Sequence, residues 1–129
     1  MRVFTKDMGN KTPDFEYFRQ RLIQERAETL NSLLGLRQDL VNLDRGGDEV
    51  DQSVGLLAEN QNLSLSQRLR AHLIEIDLAL SRIEQGVYGI CEETGESIES
   101  GRLMAVPWTR LSLEGAEIRE SLKKVFSRP

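Results

Sequence analysis

Two long helical patterns, interrupted by no proline after Pro13 and separated by a pair of glycines, constrain the fold of this chain most strongly. The first, Thr12–Leu43, opens on Thr-Pro-Asp and contains one glycine, Gly35. Threonine can cap a helix, proline suits its first position, and aspartate suits the positive end of its dipole. Apolar residues then recur at helical spacing, at Phe15, Phe18, Leu22, Leu30, Leu33, Leu36, Leu40 and Leu43. The last four follow a three-four-three spacing, which predicts a coiled-coil seam.

The glycine pair Gly46-Gly47 predicts the end of this helix, because glycine adopts left-handed backbone angles without steric cost. A second helical pattern follows from about Asp48 to Gln85, and its seam is Leu69, Leu73, Ile76, Leu80, Ile83 and Val87. The short connection makes the two helices antiparallel neighbours. We therefore predict a coiled-coil hairpin over residues 12–85 with its tip at 44–53, preceded by a flexible N-terminus at 1–11.

The composition changes after Gln85. Glycines and Pro107 separate short apolar pieces between residues 86 and 107, which predicts a compact knuckle of turns with two short strands. A last amphipathic helix is expected from about Thr109 to Phe126, with one face formed by Leu113, Ile118, Leu122, Val125 and Phe126. The predicted fold class is mainly α: a long antiparallel coiled-coil hairpin, a small globular knuckle (residues 86–129) and a C-terminal helix.

Composition excludes several classes of function. The chain has 129 residues, consistent with one domain, and a net charge of −4, which argues against direct DNA binding driven by counterion release. Its lone cysteine, Cys91, excludes an internal disulfide and favours a reducing compartment. No apolar run reaches about 18 residues, and the first residues lack the hydrophobic segment of a signal peptide. We expect a cytoplasmic protein without a membrane contact.

One segment resembles a known family. Ala79–Ile98 reads A-L-S-R-I-E-Q-G-V-Y-G-I-C-E-E-T-G-E-S-I, and Arg102–Pro107 reads R-L-M-A-V-P. These resemble the DksA/TraR signature, A-L-x-R-I-x-x-G-x-Y-G-x-C-x-x-C-G-x-x-I followed by R-L-x-A-x-P. The resemblance implies a bacterial, non-enzymatic transcription regulator that binds RNA polymerase as a monomer. It also implies that the coiled coil enters the secondary channel of the polymerase and modulates open-complex stability.

The resemblance further implies a zinc-finger-like knuckle, for which this chain lacks most ligands. Four cysteines hold the metal in the family; the corresponding residues here are Cys91, Thr94, Ser112 and Gly115. One thiolate cannot hold structural zinc. We therefore predict a degenerate knuckle without a cofactor, held by packing with Trp108 and Leu111 as fillers.

The acidic tip is the second feature that the resemblance implies. Asp48, Asp51 and Ser53 match a family D-x-x-D-x-A pattern, with serine in place of alanine. These residues would contact polymerase near its catalytic magnesium ions. The same aspartates also suit the caps of the second helix, and both readings are compatible.

The third implied feature is a site for the alarmone ppGpp, shared with polymerase and used in the stringent response. Arg68 and Arg102 match basic family positions. Glu75, Val106 and Ala116 stand where responsive relatives carry lysine or arginine. Because a polyphosphate needs positive charge, we predict action largely without ppGpp.

Three other functions compete with this interpretation. A coiled-coil adaptor would self-associate and would need no acidic tip. A thiol enzyme would use Cys91, but the single histidine, His72, lies on the second predicted helix, away in sequence from the thiol. A Gre-like channel-binding factor would share the hairpin but would lack the Y-G-x-C knuckle segment.

Overall fold

The computed structural model describes the backbone of residues 13–45 and 52–127, and the side chains of residues 13–39 and 56–126. Four helices occur in this part of the chain: α1 (Phe15–Arg45), α2 (Gln52–Gln85), α3 (Ser100–Ala105) and α4 (Leu113–Ser127). The mainly helical fold class is confirmed. The two short strands expected in the knuckle do not form within the described residues, where one antiparallel bridge pairs Ile90 with Ser97.

Contacts divide the chain into two compact units, whose boundaries fall inside the long helices. One unit contains the described parts of Met1–Leu22 and Leu78–Pro129, and the other is Ile23–Asp77. The first is called the knuckle unit here and the second the hairpin unit.

Helix α1 begins at Phe15, two residues after Pro13, the predicted first helical position. The backbone N–H of Tyr17 donates to Asp14 Oδ1 at 3.1 Å, so Asp14 is the N-cap. Pro13 therefore precedes the cap. The prediction that it occupies the first helical position is wrong. Thr12, the other predicted cap, lies outside the described residues.

The hairpin unit is an antiparallel pair of helices, as predicted. His72 Nε2 on α2 lies 2.9 Å from Glu25 Oε2 on α1, and Arg26 donates to Asp77 Oδ1 at 2.7 Å. The seam of α1 is shifted from the predicted one, because Thr29 is buried while the neighbouring Leu30 is 37% exposed. Thr29 tolerates burial because its hydroxyl donates to the Glu25 carbonyl at 2.8 Å.

Helix α2 ends in a Schellman motif immediately before Val87. The N–H of Val87 donates to the Arg82 carbonyl at 3.0 Å, and the N–H of Gly86 donates to the Ile83 carbonyl at 3.1 Å. Gly86 has a φ of +78°, a left-handed conformation that favours glycine. Ile76 and Ile83 are buried as the seam predicted, whereas Val87 lies beyond the helix and is exposed.

The knuckle unit differs from its prediction at two helices. The short α3 was not expected, since Gly101 indicated a turn. Helix α4 begins at Leu113 and not at Thr109, because the Thr109 hydroxyl accepts the N–H of Leu111 at 3.2 Å and forms a local turn. The predicted apolar face of α4 is also largely wrong: Ile118 is half-buried, but the four other members are exposed, namely Leu113, Leu122, Val125 and Phe126.

Candidate functional site

The acidic tip lies between the two long helices. Helix α1 ends at Arg45 and α2 begins at Gln52, so the connecting segment carries the carboxylates of Asp48, Glu49 and Asp51. Asp48 and Asp51 lie outside the described residues, as do their predicted roles as helix caps. Ser53 belongs to the first turn of α2, and its side chain also lies outside the described part.

The knuckle is built around Tyr88. Its side chain is 1% exposed, and its ring packs against Phe15 and Phe18 with centroids 5.9 and 5.5 Å away. The phenol donates to the Pro107 carbonyl at 2.7 Å, which satisfies the one polar group of the ring. Burial raises the pKa of Tyr88 to about 12, against the opposing effect of the Arg82 and Arg21 charges. The tyrosine is therefore a neutral structural residue.

Gly89 allows Pro13, just before α1, to pack closely on this core. It has a φ of +87°, and a Cβ at this position would lie 2.7 Å from the Pro13 ring. Any other residue would displace Pro13 or strain the backbone. Arg21 adds a link from α1 to α3, since its guanidinium donates to the Met104 carbonyl at 2.6 Å.

The structure brings together the four residues that the resemblance matched to metal ligands. The N–H of Thr94 donates to Cys91 Sγ at 3.4 Å, and the N–H of Gly115 donates to Ser112 Oγ at 3.0 Å. A Cβ at Gly115 would collide with Cys91 Sγ and would lie 3.4 Å from Ser112 Oγ. The Cys91 sulfur thus occupies the space that a side chain at 115 would need.

Hydrogen bonds make Cys91 unusually acidic for a buried thiol. Burial raises its pKa, but bonds from the side chains and backbones of Ser112 and Thr94 outweigh this effect and hold the pKa at about 6. The thiolate form consequently predominates at neutral pH. Its charge is one of several that raise the pKa of Arg119, after the larger effect of the 2.6 Å hydrogen bond from Arg119 to Glu93.

The beginning of α4 is held by residues that are distant in sequence. Glu99 Oε1 accepts the N–H of Leu113 at 3.2 Å, and the pKa of Glu99 is lowered first by a bond from its own N–H and then by this one. Ser112 caps the helix through the N–H of Gly115. Arg102 donates to the Leu111 carbonyl at 2.7 Å, which ties α3 to the turn before α4.

Comparisons with known proteins agree with this geometry. The model of a family described as prokaryotic dksA/traR C4-type zinc finger matches residues 86–120. The RNA polymerase-binding transcription factor DksA of Caulobacter vibrioides is 36% identical over 118 residues, which cover 85% of this chain and 78% of that protein. The chain belongs to the DksA/TraR family.

Solved structures extend the likeness to the fold. Transcription factor DksA2 from Pseudomonas aeruginosa superposes with a TM-score of 0.79 at 34% identity, covering 85% of both chains. The Chlamydia trachomatis regulator Dks gives a TM-score of 0.52 at 23% identity, covering 84% of this chain and 88% of that one, which is a likeness of fold alone.

Zinc, which the family description implies, does not fit the residues present. Of the four matched positions only Cys91 offers a thiolate, and Gly115 offers no side chain. No group of three His, Cys, Asp or Glu side chains suited to a metal ion occurs in the described part of the chain. The collision expected at Gly115 adds that the Cys91 sulfur lies where a side chain at position 115 would begin.

The DksA/TraR signature proves to be mostly structural. Arg82 donates to the carbonyls of Trp108 and Thr109 at 3.2 and 3.3 Å, and Leu103 and Pro107 are fully buried. The predicted fillers Trp108 and Leu111 are only half-buried, so the packing role belongs mainly to other side chains.

The two predicted nucleotide-contacting residues have different environments. Arg102 is half-buried and engaged with Leu111, whereas Arg68 is exposed on α2. They belong to different units of the chain. The sequence analysis missed Ser112 and Glu99 as residues that cap the start of α4. The S-L-E-G segment offered a local signal for Ser112. Glu99 had no such signal, because it is distant in sequence from Leu113, whose N–H it accepts.

No helix in the described part of the chain is long and apolar enough to cross a membrane.

Proposed function

We propose that this chain is a transcription regulator that binds RNA polymerase and performs no chemistry of its own. Membership of the DksA/TraR family carries the proposal, since the Caulobacter vibrioides relative is named as RNA polymerase-binding. The knuckle supports a regulatory role, because Tyr88, Arg82 and Arg102 are used in packing and hydrogen bonding within it. His72, the one histidine of the sequence, is bonded to Glu25 within the hairpin unit.

In this proposal the hairpin enters the secondary channel and carries the acidic tip toward the catalytic metal ions. The two helices support the required reach: 31 residues in α1 correspond to a length of about 46 Å. Asp48 and Asp51 then act by charge on the basic or metal-rich surroundings of the catalytic centre. The result is an altered lifetime of the open complex, through preferential stabilisation of one polymerase state.

An experiment on the tip tests this proposal. Binding to core RNA polymerase and the lifetime of the open complex are measured for wild type, Asp51→Asn and Asp48→Asn. The tip variants should retain binding but lose most of the effect on lifetime, because asparagine removes the charge while preserving the ability to cap a helix. Glu120→Gln, which neutralises an exposed carboxylate of α4, is the matched control.

The two readouts separate two failures. Absence of wild-type binding to core polymerase would overturn the proposal as a whole. Full activity of both tip variants would leave polymerase binding intact and reduce Asp48 and Asp51 to helix caps.

A further inference from the structure

The hairpin unit is packed unevenly along its length. Its inner part, residues 23–29 of α1 with 72–77 of α2, buries Ile76 completely. Its outer part, residues 30–39 of α1 with 56–71 of α2, has every side chain described, and none of them is buried. These parts are called the inner hairpin and the outer hairpin here. The helices are held together more weakly in the outer hairpin, because buried apolar surface is the main force between packed helices.

The face that α2 packs toward α1 changes character along the helix. In the outer hairpin, the half-buried residues of α2 recur every three or four residues, which is the spacing of a coiled-coil seam. These residues are Ala58, Asn62, Ser66 and Leu69. Leu63 lies beside the seam and is 54% exposed. The first three seam positions of the outer hairpin are therefore small or polar, although a leucine stands next to them.

The polar seam leaves space between the two helices. An open groove of about 290 Å³ lies at this height, and Ser66 of α2 lines it together with Leu33 and Leu36 of α1. Serine cannot fill the volume that a leucine would occupy, and the two leucines of α1 remain only half-buried. Such a space lowers the stability of a helix pair, because the apolar atoms along its walls lose packing contacts.

The polar seam residues form no hydrogen bonds that would offset this loss. Neither Asn62 nor Ser66 has a hydrogen-bond partner among the described residues. A partly buried amide without a partner costs free energy. Asparagine in a coiled-coil seam can fix the register of the helices, but the contact of His72 with Glu25 at 2.9 Å already fixes it here. Register therefore gives no reason for polar seam residues farther out.

The outer hairpin also lacks polar links between its helices. No hydrogen bond or ion pair joins its α1 side chains to its α2 side chains, all of which are described. The contacts of His72 with Glu25 and of Arg26 with Asp77 both belong to the inner hairpin. The free energy of a local opening depends on the contacts that the opening breaks. Opening of the outer hairpin breaks far fewer contacts than opening of the inner hairpin.

We propose that the outer hairpin is a separately opening unit, whose helices part and close again while the inner hairpin stays folded. Asn62 and Ser66 are the residues that keep its stability low. The purpose of this opening rests on the proposed function: a loosely packed outer hairpin adapts its contour to the walls of a polymerase channel, whereas a leucine seam would hold one contour.

Hydrogen exchange of the whole chain without polymerase, followed by mass spectrometry, tests the opening. Amides of the outer hairpin should exchange at least about tenfold faster than those of the inner hairpin, because exchange reports the free energy of local opening. Asn62→Leu with Ser66→Leu fills the seam and should slow exchange in the outer hairpin about tenfold.

Asn60→Leu with Ser64→Leu is the matched control for the seam-filling variant. It makes the same two replacements at exposed positions of the same helix. Helix propensity rises equally in both double variants, so their difference isolates the filling of the seam. The control should exchange as the wild type does.

A second measurement links the opening to polymerase. The lifetime of the open complex is followed at protein concentrations that saturate core RNA polymerase. The seam-filling variant should lose most of the wild-type effect on this lifetime, because its outer hairpin no longer repacks. The control variant should retain the effect.

The outcomes distinguish the opening from the proposed function. Equal exchange in the inner and outer hairpins of the wild type would overturn the separate opening and leave the proposed function standing. Equal slowing by both double variants would point to helix propensity and would overturn the role of the polar seam. A seam-filling variant that exchanges slowly but keeps its full effect would overturn the link to polymerase. Failure of the wild type to bind polymerase would overturn the proposed function, while the exchange measurement, made without polymerase, still decides the opening.

Discussion

Gly115 has only a hydrogen atom where a ligand side chain would otherwise point into the knuckle, and the Cys91 sulfur lies against it. We predict that Gly115→Ala lowers the free energy of unfolding by about 1 to 3 kcal/mol, because the added methyl group overpacks a space that the sulfur fills. Urea denaturation measures the change.

Gly101 is the matched control for this substitution. It also lies in a helix, but a Cβ there would meet nothing within 4 Å. Gly101→Ala should therefore stabilise the protein slightly, by about 0.5 to 1 kcal/mol, through reduced backbone entropy in the unfolded chain. If Gly115→Ala leaves the free energy of unfolding unchanged or raises it, the packing argument is contradicted.

Cys91 should make folding stability depend on pH. Its pKa is about 6 in the folded protein against an ordinary value of 9.0, so between these values the unfolded chain binds a proton that the folded chain does not. Stability from this group is then fully present above about pH 9 and is lost as the pH falls through about 6. Urea denaturation across this range should show that the free energy of unfolding rises with pH. Cys91→Ser should reduce this rise, because serine does not titrate there. Parallel slopes for the two proteins would show that the thiolate has no such role.

The hairpin helices could be predicted from the sequence because their signals are local. Heptad spacing, a capping aspartate and a glycine pair act within a few residues of one another. The shift of the α1 seam from Leu30 to Thr29 could not be predicted from such local sequence signals. A threonine satisfies its own hydroxyl on the preceding turn, and hydrophobicity alone ranks it below the leucine beside it.

Helix α3 and the start of α4 depend on contacts across the knuckle; α3 was not predicted, and the start of α4 was placed too early, at Thr109. Glu99 holds the first N–H of α4, and Arg102 holds the Leu111 carbonyl. Neither contact has a local pattern. For the candidate site, the motif grouped Cys91 with Thr94, Ser112 and Gly115, and the structure places these four residues together.

At the scale of the whole molecule, packing and hydrogen bonds join the residues at the four matched positions of the knuckle, and we predict that the chain folds without zinc. Metal analysis of purified protein should give far less than a stoichiometric amount, and a chelator should leave the thermal melting curve unchanged, since structural zinc contributes folding energy wherever it is bound. The triple variant Thr94→Cys, Ser112→Cys, Gly115→Cys restores four thiolates and is a positive control for metal retention. Stoichiometric zinc in the wild type would refute the prediction.

Regulation by ppGpp is also a property of the whole molecule bound to polymerase, and we predict that it is weak here. Glu75 places a carboxylate, and Val106 and Ala116 place uncharged side chains, at positions where the family resemblance implies basic residues for a polyphosphate. Arg102 is already engaged with the Leu111 carbonyl, which leaves Arg68 as the more accessible of the two candidate cations.

The measurement is the decay of open complexes at a ribosomal-type promoter, with the protein titrated in the presence and absence of ppGpp. The polymerase should lack any second alarmone site, so that the response reports the shared one. Because like charges repel most strongly where solvent is excluded, we expect similar titration curves with and without the nucleotide. Glu75→Lys, which reverses the repelling charge, should increase the response to ppGpp and serves as the gain-of-function control. A large synergy in the wild type that Arg68→Ala abolishes would show that the remaining arginines suffice to bind the polyphosphate.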